Sequence, residues 1–109
     1  MGYIKHNAII VTGIEPCETF PDLQIVYKKA KKLFGRTVTK KGKTVTNGFQ
    51  SFLISPDGSK ERWEWSNEFD IKRDKFFKWL RKHKYYVDVV EVRFGGDDYD
   101  AEVVRVFPE

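Results

Sequence analysis

The side chains able to do covalent or acid–base chemistry in this sequence are few: Cys17, His6 and His83, with carboxylates clustered at Asp97, Asp98 and Asp100. A thiol or an imidazole becomes a catalyst only when a second group holds and activates it. His6 lies inside a β-rich segment and reads as a strand residue. His83 closes a helical segment, where an imidazole can simply interact with the helix dipole. Cys17 sits beside Pro16 in a loop, and no spacing ties it to either histidine. The sequence holds no GxSxG, P-loop, GxGxxG or HExxH pattern. The three aspartates offer hard oxygen ligands for Ca²⁺ or Mg²⁺, but they lack the twelve-residue EF-hand spacing and its closing glutamate. Gly95-Gly96-Asp97-Asp98 is also good turn chemistry on its own account. The expectation is a chain that is not an enzyme and carries no cofactor and no metal.

Binding chemistry is better represented. Within residues 28–43, Lys28, Lys29, Lys31, Lys32, Arg36, Lys40, Lys41 and Lys43 meet no acid. Such a stretch can follow a phosphate backbone, or can be a solvated helix face and a lysine-protected strand edge. Towards the C-terminus the sign reverses. Asp88, Glu91, Asp97, Asp98, Asp100, Glu102 and Glu109 stand against Arg93 and Arg105 alone. This dipolar layout favours electrostatic steering of a partner. Trp63 and Trp65 share one face of an expected strand, flanked by Lys60, Arg62 and Arg73. An open face there would be a protein-binding hot spot or a base-stacking surface, and core placement of at least one of the two is the simpler reading. Trp79 and Ile71 fall off the main stripe of the second helix and are expected to be exposed, as partner or dimer surfaces are. The candidate partner-binding set is Lys28, Lys29, Lys32, Arg36, Lys40, Lys41, Lys43, Trp63 and Trp79.

The elements that must position these groups follow from periodicity. Residues 3–12 read as a strand apolar on both faces, ended by Gly13. Leu23, Val26, Tyr27, Ala30, Leu33 and Phe34 recur at helical spacing, with Pro21 in the first turn and Gly35 past the end. Residues 36–46 are nearly symmetric about Lys41-Gly42, as a two-stranded ribbon would be. Asn47-Gly48 is a hairpin signal. It leads into a strand with Phe49, Ser51 and Leu53 on one face and Gln50, Phe52 and Ile54 on the other. Ser55-Pro56-Asp57-Gly58 fits a type I turn returning the chain through residues 60–65. A second helix is expected from Ser66 or Asn67 to about Lys84, with Phe69, Phe76, Phe77 and Leu80 on its stripe. Residues 85–94 and 99–107 give two more strands. The fold class is therefore α+β: a two-layer sandwich of mostly antiparallel sheet covered by two helices, a ferredoxin-like β-α-β-β-α-β variant.

The 109 residues fit one domain, and a 16% aromatic content supplies enough buried ring surface to stabilise it. One cysteine makes neither an intrachain disulfide nor a CxxC half-site. The N-terminal apolar run is broken by Lys5, His6 and Asn7, so neither a signal peptide nor a membrane span is expected, and the compartment implied is the cytoplasm.

Three segments taken together carry a resemblance: YIKHNAIIVTG at residues 3–13, NGFQSFLISPDGSKERWEWS at 47–66, and VDVVEVRFGGDDYD at 87–100, with the helix DIKRDKFFKWL between the last two. The chain resembles a family of small, largely uncharacterised proteins of bacteriophages, prophages and their bacterial hosts. The resemblance transfers no activity. It implies a short accessory protein that binds, and can disable, a host protein or nucleic acid. The expectation is a non-enzymatic binding protein, with a nucleic-acid-binding module on the 28–43 surface as the alternative. No membrane partner is expected, and a homodimer is one assembly such a chain can form.

Overall fold

Ile9 and Val11 alternate with Ile10 and Thr12 along the central strand β1 (His6–Ile14), and this alternation assigns the two faces of the whole sheet. In the computed structural model, which describes residues 5–58, 64–96 and 100–109, Ile9 and Val11 are fully buried while Ile10 is 40% exposed. β3 (Phe49–Ile54) runs antiparallel on one side of β1 and β4 (Val87–Phe94) antiparallel on the other. The short β2 (Gly42–Lys43) and β5 (Glu102–Phe107) complete a five-stranded sheet in the order β2-β3-β1-β4-β5. Every pairing is antiparallel.

Two helices, α1 (Asp22–Phe34) and α2 (Glu64–His83), lie on the same face. Leu23, Val26, Ala30 and Phe34 of α1 and Phe76, Phe77 and Leu80 of α2 pack with Ile9, Val11, Phe52, Ile54, Val87, Val89 and Phe107 in one core. The Phe34 ring meets Phe76 edge-on at 5.8 Å and Phe69 at 6.3 Å, joining the helices. Tyr27 meets Phe52 edge-on at 5.0 Å, joining α1 to β3. This is the expected two-layer α+β sandwich. Its strand order carries the ferredoxin-like split β-α-β twice: β3 lies between the parallel β1 and β2 that α1 connects, and β1 lies between the parallel β3 and β4 that α2 connects, with β5 added at the edge.

The first helix obeys its sequence signals. Pro21 is the N-cap, and Gly35, at φ 61°, donates its N–H to the Lys31 carbonyl. Asn47 and Gly48 are both at positive φ, 66° and 64°, and end the four-residue loop 45–48 that the Thr44 N–H closes on the Phe49 carbonyl. Alternation along β3 also follows the sequence: Gln50, Phe52 and Ile54 are buried.

Three elements depart from expectation. β1 runs past Gly13 to Ile14, because Gly13 serves a close approach rather than an end. A Cβ there would lie 3.0 Å from Val87 Cγ1 and 3.3 Å from Leu23. Residues 36–46 form no self-paired ribbon. Residues 35–37 make a 3₁₀ turn, then Val38 bridges Ile54, Thr39 N–H donates to Leu53 O, and β2 pairs with Ser51 and Gln50. The segment is a broken edge strand on β3. Burial of Val38 in the core, together with hydrogen bonds to an existing strand, outweighs pairing of its own halves. α2 begins at Glu64, so Glu64 and Trp65 are helical and the expected return strand does not reach them. Glu64 in the first turn complements the helix dipole and lets the helix start early. Residues 60–63 of that strand, Trp63 included, lie outside the described residues, as do Asp97 and Asp98 of the last hairpin loop.

Candidate functional site: a cationic helix layer and an open sheet face

The two helices cover one face of the sheet and leave two surfaces of opposite character. The outer surface of the helix layer is cationic. On α1, Lys28 and Lys32 are one turn apart and exposed, on the side away from the core stripe. Arg36 and Lys40 follow, exposed, in the 3₁₀ turn and the edge segment. On α2, Lys75, Lys78 and Lys82 are exposed as well. None of these seven forms an ion pair among the described residues.

The remaining candidates are engaged. Lys41 donates to Gln24 Oε1 and lies 5.1 Å from the centre of the Tyr27 ring, with Lys31 5.2 Å from the same ring. Lys43 pairs with Glu15 at 3.2 Å. Lys29 sits 5.5 Å from the Trp79 ring centre. Trp79 is half-buried rather than exposed: it stacks on Phe76 at 6.3 Å and contacts His83 at 5.4 Å and Tyr85 at 5.0 Å. Ile71 is exposed, as its place off the stripe implies. Trp65 is 63% exposed on the first turn of α2. Arg73, expected to flank an open tryptophan pair, is instead buried and held by Asp70 at 2.6 Å and Asp57 at 3.8 Å.

Of the C-terminal acids, Glu91 and Glu102 are engaged, whereas Asp88, Asp100 and Glu109 are exposed and form no ion pair among the described residues. Glu91 is 1% exposed, accepts from Asn7 Nδ2 at 2.8 Å and pairs with Arg105 Nε at 2.5 Å. Arg105 also binds Asp74 of α2 at 2.7 Å, and Arg93 binds Glu102 at 3.1 Å. Partial burial by itself lowers the Arg105 pKa. Hydrogen bonds to Glu91 and Asp74 and their charges outweigh it, and the net shift is upward. Glu91, Arg105 and Asp74 thus form a network between the sheet and α2, while Lys28, Lys32, Arg36 and Lys40 stay unpaired among the described residues.

The second surface is the sheet face the helices do not cover. In register, Ile10 of β1 stands between Leu53 of β3 and Val90 of β4, and Val90 stands opposite Val106 of β5. The next row pairs Ala8, itself buried, with Val92 and Val92 with Val103, and the next His6 with Phe94. Ile10, Phe94, Val103 and Val106 are at least 40% exposed. Thr12, Ser51 and Asp88 form the polar end of the face, with Thr12 and Ser51 hydroxyls 2.7 Å apart. This face is absent from the sequence candidates, though its signal is present: β1 and β4 carry apolar residues at both parities, and two helices cover only one side.

Cys17 and His6 do not come together. His6 and Cys17 lie off opposite ends of β1, so a strand of roughly 26 Å separates them. Among the described residues no group of three His, Cys, Asp or Glu side chains could hold a metal ion. Among them, too, no helix is long and apolar enough to cross a membrane. No protein-family model matches the chain, and comparison with curated proteins and with solved structures finds no match.

Proposed function

We propose that this chain is a small non-enzymatic binding protein, a phage-type accessory factor, that docks an anionic surface of a host macromolecule on its helix layer. The observation that carries this reading is a run of exposed cations with no acid among them. Lys28, Lys32, Arg36 and Lys40 have no acidic partner among the described residues, and no acid interrupts residues 28–43. A concentrated unpaired layer repels itself and contributes nothing to the fold, while it accelerates encounter with an acidic partner.

A second reading, nucleic-acid binding, is favoured by one feature: Lys29, Trp79, His83 and Tyr85 join a cation to a run of rings beside the lysines of α1. Cations along a backbone with aromatic rings beside them are what single-strand binding uses.

Fluorescence anisotropy with labelled single- and double-stranded DNA and RNA across a salt series separates the two. Binding that falls steeply with salt, and is abolished in a Lys28→Glu/Lys32→Glu variant, selects the nucleic-acid reading. Absence of binding at low salt removes it. Affinity capture with wild-type and Lys28→Glu/Lys32→Glu baits then tests protein docking, and a partner retained equally by both baits overturns the helix-layer site.

A further inference from the structure

We propose that two copies of this chain associate face to face through the open side of the sheet, forming a four-layer α/β/β/α dimer with both cationic helix layers outermost. The proposal is independent of what the helix layer binds. It begins from the ladder Leu53, Ile10, Val90, Val106, which crosses four strands in one register row, and from the flanking pair Val92 and Val103. In a chain in which 33% of residues are charged, the described part of this face carries one carboxylate, Asp88, and no lysine or arginine. Depletion of charge at the centre of a patch, with polar groups at its rim, is the compositional mark of a protein interface.

Three properties assign the occupant to a second copy. The first is charge. Two molecules of net charge +4 repel, and their open faces are the surfaces through which they approach with the lysines furthest apart. A sheet spacing of about 10 Å plus a helix thickness of about 10 Å on either side sets the cationic surfaces roughly 30 Å apart. That exceeds a Debye length of about 8–10 Å several-fold. The second is symmetry. A twofold interface brings a patch against itself, and an axis through the Ile10–Val90 row places the two Asp88 side chains on opposite sides of it.

The third is extent. β3, β1, β4 and β5 are six to nine residues long. At about 4.8 Å between strands and about 3.3 Å per residue they present roughly 450 Å² in projection per copy. Two copies bury on the order of 1,000 Å², the lower bound of biological interfaces and within the weak, transient class. Antiparallel sheets packed this way lie about 10 Å apart with strands within about 30° of each other. A face of that size gives a dimer that dissociates on dilution rather than a permanent one.

Analytical ultracentrifugation of the full chain over a wide concentration range is the test. The expected result is a mass rising on concentration from 12.9 kDa to twice that value, not weakened by added salt. Val106→Lys should weaken association at least tenfold with an unaltered circular dichroism spectrum, and Lys28→Glu, on the helix layer, should leave it unchanged. Should Val106→Lys fail to fold, Val103→Lys reads the same outcome at a position already 62% exposed. A wild-type chain that remains monomeric at the highest concentration overturns the proposal, as does a dimer indifferent to both valine substitutions.

Discussion

Arg105 Nε donates to Glu91 Oε1 at 2.5 Å on the helix-covered side of the β4–β5 pair, and the same guanidinium reaches Asp74 of α2 at 2.7 Å. One side chain therefore fastens the edge strand to the sheet interior and to a helix, and it also lies 4.6 Å from the Phe77 ring centre. Removing it strands a carboxylate that is 2% exposed, with the Asn7 amide still donating to it. Arg105→Ala is expected to cost about 3 kcal/mol, the scale of a broken buried pair, measured by urea unfolding. A loss below about 0.5 kcal/mol would place Glu91 in water.

Gly13→Ala tests the packing of α1 on β1. The added methyl meets Val87 Cγ1 at 3.0 Å and Leu23 at 3.3 Å, so one of them must move. Overpacking of this kind costs about 1–3 kcal/mol. Each kcal/mol lowers Tm by roughly 4–8 °C in a domain of this size. A scanning calorimeter reads the shift directly, and an unchanged Tm would mean that α1 stands further from β1.

Phe76 and Ile71 are both large apolar residues of α2, and the fold separates them completely. Phe76 is fully buried, whereas Ile71 is 55% exposed. Phe76→Ala should cost about 3–5 kcal/mol by leaving a cavity, while Ile71→Ala should stay within about 0.5 kcal/mol. Denaturant midpoints of the two variants, measured side by side, check the contrast.

If the helix layer binds a polyanion, the lysines contribute unequally. Lys41 and Lys43 are engaged with Gln24 and Glu15, and Lys28, Lys32, Arg36 and Lys40 are not. Neutralising Lys28 and Lys32 should reduce the slope of log affinity against log salt by about 0.9 for each phosphate that they neutralise in the wild-type complex. The Lys41→Ala/Lys43→Ala pair should change it less. The reverse ranking would return the site to the edge segment.

What the sequence determined by itself is the local order of the molecule. Helical spacing from Leu23 to Phe34, the Gly35 cap, the Asn47-Gly48 turn and the alternation of Gln50, Phe52 and Ile54 each depend on groups a few residues apart, so they are legible without a fold. The two-layer α+β class follows from their sum. Tertiary structure decided everything that depends on a neighbour distant in sequence. Residues 36–46 look like a ribbon alone, yet β3 offers their backbone a better partner. Gly13 looks like a stop, yet Leu23 and Val87 need the space. Arg73 and Glu91 look like surface charges, yet Asp57, Asp70 and Arg105 close around them. The candidate lysines are visible as a run, but which of them stay unpaired is not. The open sheet face is the least legible, because a residue such as Ile10 or Val90 is apolar whether a helix covers it or not. Hydrophobicity is a property of the residue, and burial is a property of the assembly.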